Sequence, residues 1–398
     1  MNDVTYTNET DTGQDISDSY VLVVADDELH ALCHQWQHSA FLAMDTEFIR
    51  TSTFFPHVGL IQVNAGDGNY LIDPLTISDW APFCALLVNP AIVKIFHSCS
   101  EDLQVFMAAM QLVPSPVFDT QIAAAILNEG FGNSYQALVM HYLNLDLPKE
   151  ETRSDWLQRP LRDKQCHYAA LDVACLPAIY QIQRDALEEQ GRMEWLQEEC
   201  ALQIFQYHNE LSEDFSRYYL NMRGAWQLDR EQLNVLQKLA QWRELRARKR
   251  DKPRNWIIKD KQLIDIAKLC PVQLIQLQEI DDLGNSFLRH EGEELISLVS
   301  RAIEMPEDAL PELLPKPLDG KAKSQLKRGQ QFAEKKADEL ALPVEMLIRK
   351  RWLISLLQNA RALESATDIS AIEDAILPEE LKGWRRELLL PGLVEAMR

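Results

Sequence analysis

Asp45 and Glu47 stand two residues apart inside a run otherwise composed for a β-strand, with Phe41-Leu42-Ala43-Met44 before them and Phe48-Ile49 after. Side chains alternate faces along a strand, so both carboxylates emerge on one face and Thr46 on the other. Two anions side by side at the edge of an apolar core repel each other unless a cation lies between them. Hard divalent cations held by oxygen ligands meet that need. A fold for this chain is therefore expected to bring further carboxylates to the same edge.

The chain is long enough for this. Its 398 residues, 46% of them hydrophobic, can bury a large core and suggest two or three domains. No apolar run reaches membrane-spanning length, and Met1-Asn2-Asp3 lacks the basic start of a signal peptide. Cys33, Cys84, Cys99, Cys166, Cys175, Cys200 and Cys270 are scattered, with no Cys-x-x-Cys spacing. That argues for a reducing compartment and against zinc, and the expected location is the cytoplasm. The net charge of -21 argues at first against nucleic acid, since phosphates want Lys and Arg, but local patches decide binding. Residues 1–19 hold Asp3, Glu9, Asp11, Asp15 and Asp18 with no base, and are expected to be a disordered acidic tail.

From Tyr20 the pattern is regular. Tyr20–Val24 reads as a strand and Asp27–Gln37 as a helix, followed by strands at Phe41–Ile49, Val58–Val63 and Tyr70–Ile72. The turn Gly66-Asp67-Gly68-Asn69 predicts that the last two are antiparallel neighbours. Ile92–Phe96 and Val117-Phe118 each precede a helix, which predicts parallel pairing with helical crossovers. After about Tyr135 the segments are helical. Amphipathic helices are expected at Arg230–Arg248, Asp260–Leu269, Pro271–Glu279 and Gly292–Glu304. Pro306, Pro311, Pro315 and Pro317 mark a linker, and the helical stretch from about Ser324 repeats the first one loosely.

Two further places offer carboxylates. Ser98 with Glu101 three residues on forms a capping box, so a helix is expected to start there, with Glu101 reaching back to the cap. Asp102 is then free to face the sheet edge; read alone, it is also an ordinary first-turn acid favoured by the helix dipole. Tyr168 and Asp172 are four apart on a second helix, expected over Leu161–Tyr180, and share one face. His167 lies roughly 140° around the axis from Asp172. Pro177 should bend that helix just after Asp172. Core packing with a hydrogen-bonded hydroxyl for Tyr168, and a buried cap or a salt bridge for Asp172, are the plain alternatives.

In order, Asp45-x-Glu47, Asp102 and Tyr168-x-x-x-Asp172 resemble the three exonuclease motifs of the DEDD superfamily of 3′→5′ exonucleases, tyrosine subclass, and within it the ribonuclease D family. Supporting stretches are Gly59-Leu60-Ile61-Gln62, Phe118-Asp119-Thr120 and Ser154-Asp155-Trp156-Leu157-Gln158-Arg159-Pro160-Leu161. Leu239–Glu244, with Pro253-Arg254-Asn255, is similar to an HRDC domain (the helicase and RNase D C-terminal module). The resemblance implies an α/β fold: a mixed-sheet, ribonuclease H-like exonuclease domain over 20–215, then an HRDC domain over 216–305. A linker over 306–323 and a second HRDC-like all-α domain over 324–398 would follow.

The resemblance also implies a chemistry. Asp45, Glu47, Asp102 and Asp172 would hold two Mg²⁺ or Mn²⁺ ions about 3.5–4 Å apart. Asp45 would bridge them, with Glu47 and Asp172 completing one site and Asp102 the other. Tyr168 would orient the attacking water; the sister subclass uses a His five before the last Asp, and His167 occupies that position, but on a continuous helix it should point away. Products would be nucleoside 5′-monophosphates released from a free 3′ end, with tRNA precursors and other small RNAs as substrates and a monomer as the working form. Candidate substrate contacts are Thr46, Phe54, Leu60, His97 and Arg159, with Phe55, Lys149 and Arg153 beside them. Arg243, Arg246, Arg248, Lys249, Arg250, Lys252 and Arg254, interleaved with Trp242 and Trp256, are expected to track RNA phosphates, and Lys321, Lys323, Lys327 and Arg328 form a second cluster. The alternative functions are a single-stranded DNA 3′→5′ exonuclease and a non-catalytic RNA-binding adaptor.

Overall fold

The computed structural model describes residues 8, 9, 15, 16, 18–148, 154–211, 215–362 and 377–397. The chain divides into two compact units, one of residues 1–49, 56–209 and 320–398 and the other of residues 50–55 and 210–319.

In the first unit, β1 (Tyr20–Val23), β2 (Phe41–Ile49), β3 (His57–Asn64), β4 (Asn69–Ile72), β5 (Val93–Phe96) and β6 (Val117–Asp119) form a six-stranded sheet in the order β1-β4-β3-β2-β5-β6. The neighbours β2, β3 and β4 are antiparallel, and the second hairpin turns through Gly66 and Gly68, both at positive φ where a side chain would be strained. β5 runs parallel to β2 and β6 parallel to β5, with α2 (Ala81–Leu87) leading into β5 and α3 (Ser100–Met110) joining it to β6. The mixed sheet has the expected form: a hairpin half joined to a crossover half.

The pairing exposes the acidic end of β2. It pairs with β5 over Phe41–Ala43 only, so Asp45 and Glu47 lie past the last paired residue of β5, where the chain turns into α3. Ligand sites in such sheets form at the carboxyl ends of parallel strands. One sheet face is covered by α1 (Asp26–Trp36), through Leu29, Cys33 and Trp36, and by α7 (Leu176–Glu189), which pack with Met44, Ile61 and Val63. The alternate residues Leu60 and Leu71 face α6 (Asp163–Ala174), with Trp156, Cys166 and Ala169. Gly59 permits this second layer: a Cβ there would sit 2.5 Å from the Trp156 carbonyl oxygen. The expected single helix over Leu161–Tyr180 is two, because Pro177 falls in the first turn of α7 and α6 ends at Ala174.

The remaining helices of this layer are α4 (Thr120–Ile126), α5 (Tyr135–Leu143) and α8 (Met193–Leu211). A helical module belongs to the same unit: α13 (Gly320–Leu340), α14 (Val344–Leu347), α15 (Lys350–Ala362) and α16 (Trp384–Met397). Met346 joins the core, Trp384 stacks on Trp195 with centroids 4.7 Å apart, and buried Arg385 pairs with Glu199 and donates to the Met346 carbonyl. The expected linker is shorter than its prolines suggested, since α13 begins at Gly320 and takes in Lys321 and Lys323. The acidic tail is likewise not wholly without structure. Asn8–Glu9 pairs antiparallel with Asp15–Ile16, Asp18 meets His167, and the Ser19 carbonyl accepts from Asn69 Nδ2 at 3.0 Å; the rest of it lies outside the described residues.

The second unit holds α9 (Arg230–Arg250), α10 (Arg254–Ile257), α11 (Asp260–Leu269) and α12 (Asn285–Ile303) around Leu233, Leu236, Leu239, Ile266, Leu295 and Val299. Pro271–Glu279 is a 3₁₀ segment over Leu274–Glu279 rather than an α-helix. The loose repeat in the sequence has a physical counterpart. α9 and α13 each end in a left-handed residue, Asp251 and Ala341, followed by a proline, a one-turn helix and an extended Ile. The bond from the Lys252 amide to the Ala247 carbonyl recurs between Leu342 and Ala337.

Candidate active site

The period of the strand and the overhang of β2 place Asp45 and Glu47 together, and α6 crosses to supply Asp172. Carboxylate oxygens of Asp45, Glu47 and Asp172 all lie within 4.8 Å of one another. Asp102, 6% exposed, stands beside them in the first turn of α3, where it accepts a hydrogen bond of 2.6 Å from the Thr46 hydroxyl. Among the described residues, no Lys or Arg pairs with any of the four.

That arrangement is electrostatically loaded. Burial, then Asp45, Asp172 and Asp102, push the Glu47 carboxyl up to about 10. Burial lifts Asp172 to about 7 although the Tyr168 hydroxyl donates to it. Asp45 and Asp102 are likewise held well above the usual carboxylate range, first by burial and then by Asp172 and Asp45 respectively. An all-oxygen donor set of this charge fits a hard divalent cation, and the buried Oδ2 of Asp172 has no other partner.

The turn into α3 is built differently from the expected capping box. Ser98 sits at φ +63 and α3 starts at Ser100, so Ser98 cannot cap it and Glu101 stays exposed. The Asp119 carboxylate does the holding, accepting from the amides of Ser98 at 3.0 Å, Cys99 at 2.9 Å and Gln121 at 2.9 Å. Asp119 thus fixes the turn before α3 and caps α4 at once. Its place before a helix hints at the second task; nothing local hints at the first. Tyr135 is a second residue missed from sequence: its hydroxyl donates to the Leu171 carbonyl and accepts from the Cys175 amide, securing the end of α6.

On α6, Tyr168 faces the carboxylates and His167 does not. The Tyr168 ring packs 6.3 Å from Trp156, and burial, then Asp172 and Glu47, raise its hydroxyl pKa. His167 Nδ1 lies 3.0 Å from the Asp18 carboxylate, beside the Tyr20 ring.

Several expected substrate contacts are committed elsewhere. Thr46 is buried and holds Asp102. Leu60 is 0% exposed in the layer under α6. Both ring nitrogens of His97 are engaged, Nδ1 with the Thr120 hydroxyl at 2.9 Å and Nε2 with the Asn133 carbonyl at 3.1 Å. Phe54 belongs to the core of the second unit, its ring under the guanidinium groups of Arg248 and Arg254, each 4.9 Å from the centroid. The Phe54 and Phe55 amides both donate to Asp251. Lys149 and Arg153 lie outside the described residues.

Arg159 donates to both Asp73 oxygens and to the carbonyls of Gly59, Trp156 and Gln158, which leaves no N–H for a phosphate. Arg159→Ala would strand the nearly buried Asp73 carboxylate. It should destabilise the protein by about 3–5 kcal/mol in denaturant unfolding. A phosphate contact would instead raise KM at unchanged stability.

The basic run of α9 is similarly neutralised. The buried Glu244 takes Arg248 and Arg254, the buried Glu291 takes Arg246 and Arg250, and Arg243 pairs with Asp260 at 2.6 Å. Lys249 is exposed, and Lys252 lies over the exposed ring of Trp256 at 5.8 Å while its ammonium donates to the Ser52 carbonyl. Trp242 is core, with its Nε1 donating to Glu294. In the other cluster, Arg328 donates to the Ala396 and Met397 carbonyls at the end of α16.

Residues 20–188 match the family model of a 3′-5′ exonuclease, and residues 232–299 match that of the HRDC domain. Ribonuclease D of Pseudomonas paraeruginosa is 39% identical over 372 residues, 94% of this chain and 96% of that protein. Ribonuclease D of Escherichia coli is 34% identical over 94% of this chain and 97% of its own length. The crystal structure of E. coli RNase D, described as an exoribonuclease involved in structured RNA processing, superposes with a TM-score of 0.86, covering 95% of this chain and 98% of that one. The likeness runs along nearly the whole chain, through both the exonuclease region and the HRDC region that follows it, and the chain belongs to the ribonuclease D family of 3′→5′ exoribonucleases.

Proposed function

We propose that the chain removes nucleoside 5′-monophosphates one at a time from the 3′ ends of tRNA precursors and other small structured RNAs, as a cytoplasmic monomer. The convergence of the Asp45, Glu47 and Asp172 oxygens within 4.8 Å, with Asp102 alongside, carries this reading. Asp45 is the member common to both parts of the site: it belongs to the cluster of three, and after burial its charge does most to raise Asp102. Two divalent ions, Mg²⁺ or Mn²⁺, held by these four residues would supply water activation and neutralisation of the phosphate charge.

The chain's own groups do the rest. Thr46 fixes the Asp102 rotamer, and the Asp119 and Tyr135 anchors fix the two helices that bring Asp102 and Asp172 to β2. Tyr168 remains protonated at working pH and orients the attacking water by hydrogen bond. No helix among the described residues is long and apolar enough to cross a membrane, and all seven cysteines are free. Both fit the proposed location. The module over α13–α16 is assigned as a second HRDC-like domain on the element pattern it shares with α9–α12.

The test is hydrolysis of a 3′-labelled RNA with Mg²⁺ and then with chelator, run beside a tRNA precursor and a single-stranded DNA. Mononucleotide release that requires the metal and prefers RNA supports the reading. Tight binding without release would make the protein an adaptor, and a preference for DNA would make it the other exonuclease.

A further inference from the structure

The repeat between the two helical modules isolates one place where they differ in charge. Before α11 the first module carries Lys259, Asp260 and Lys261, and all three are paired: Lys259 with Asp282 at 3.6 Å, Asp260 with Arg243 at 2.6 Å, and Lys261 with Asp281 at 3.5 Å. At the same turn of the second module stand Arg349, Lys350 and Arg351, all exposed, and among the described residues none of their side chains makes an ion pair or hydrogen bond. Three consecutive cations at the first turn of a helix oppose its dipole, so helix stability does not account for them. In a chain of net charge -21 they form, among the described residues, a cluster without ion pairs, unlike the arginines of α9.

A cavity of about 170 Å³ opens beside them, walled by α4, α8, α15 and the Phe131-Gly132 loop. Arg349 lies with its guanidinium carbon 5.8 Å from the centroid of the Phe131 ring and 5.4 Å from that of Trp352. Phe131 is 44% exposed, whereas Trp352 is 5% exposed with its Nε1 lacking any acceptor. Gln121, Gln203 and Gln206 contribute amides to the wall. Two acids also line it; Glu199 is occupied by Arg385 and Trp384, which leaves Glu380 near Arg349. Burial, then the neighbouring Arg351 and Arg385, lower the Arg349 pKa against the opposing influence of Glu199 and Glu380.

One residue links the cavity wall to the segment that precedes α3. The Asn133 carbonyl accepts from Gln121 Nε2 at 2.9 Å and lies 3.1 Å from His97 Nε2, and His97 begins the turn that leads to Asp102. Free guanidinium groups, an exposed aromatic ring and a wall of amides match one nucleotide of a single strand: phosphate on the arginines, base on the ring, sugar or base edge on the amides. We infer that the Arg349–Arg351 turn and its cavity form a docking site for single-stranded RNA on the 5′ side of the nucleotide being removed. This rests on the RNA-hydrolysing activity and adds a second contact to it.

The test is the full-length double variant Arg349→Glu/Arg351→Glu, assayed with Mg²⁺ on 3′-labelled RNAs of about four and about sixteen nucleotides. The short RNA should be hydrolysed with unchanged kcat and KM. For the long RNA, KM should rise about tenfold at unchanged kcat, and the slope of log KM against log salt should fall by about 1.4, roughly 0.7 for each lost phosphate contact. Phe131→Ala, which leaves the charges in place, should raise the long-RNA KM without altering the salt slope. An unchanged KM on the long RNA overturns the inference, as does equal loss on both RNAs. If the double variant melts early, Arg351→Gln and Phe131→Ala decide the matter. Failure of the parent protein to cleave the short RNA would instead refute the nuclease reading itself.

Discussion

Tyr168→Phe should lower kcat on a short RNA by about a hundredfold or more, with little change in KM or melting temperature. Its ring is held between Trp156 and the layer under β3, and Phe preserves that packing while removing only the hydroxyl. The hydroxyl donates to Asp172 and sits close enough to Glu47 and Asp45 for both to raise its pKa. A group so perturbed keeps its proton, so the pH–rate profile should show no basic limb that disappears in the variant. His167→Ala should retain most of the parent kcat, because that ring is paired with Asp18 on the other side of α6. Single-turnover rates on the two variants measure this directly. A severe loss for His167→Ala with near-normal Tyr168→Phe would transfer the role to the histidine.

The same residues show what a sequence can reveal. The Asp45–Glu47 pair follows from a period of two, and the Tyr168–Asp172 pair from a spacing of four, so the core of the site was legible wherever one element's own geometry sets the relation. The fate of each cation was not, because a run of arginines reads alike whether or not acids neutralise it. Arg159 meets Asp73 across a separation of 86 residues, and Arg246 and Arg250 meet Glu291 across 45 and 41. Phe54 reads as a free aromatic until α9 and α10 fold over it. Ser98 and Glu101 satisfied the capping spacing, but the left-handed turn at Ser98 and the reach of Asp119 from the next strand overrode it. Conversely, Arg349-Lys350-Arg351 drew no notice in the sequence, because the missing acids that set it apart are a property of the folded neighbourhood.

Asp45→Asn should abolish hydrolysis, by at least about a thousandfold, and at the same time stabilise the chelator-treated protein at alkaline pH by roughly 1–3 kcal/mol. The sign follows from the carboxylates. Asp172 is raised from 3.8 to about 7 and Glu47 from 4.5 to about 10, so each binds its proton more tightly folded than unfolded. Their contribution to stability is complete below about pH 4 and lost as pH rises through 7 towards 10, by an amount on the order of a few kcal/mol. Bound Mg²⁺ reverses this, since it interacts with the charged forms and adds stability by mass action. Replacing Asp45 with a neutral amide removes the charge that acts most on Glu47 after burial, so the alkaline loss should shrink, and so should the response to Mg²⁺. Melting curves of parent and variant at about pH 5 and about pH 9, each with chelator and with Mg²⁺, separate these effects. If the chelated parent melted at the same temperature at both pH values and ignored added Mg²⁺, the four carboxylates would not be the strained, cation-seeking cluster that the proposed chemistry requires.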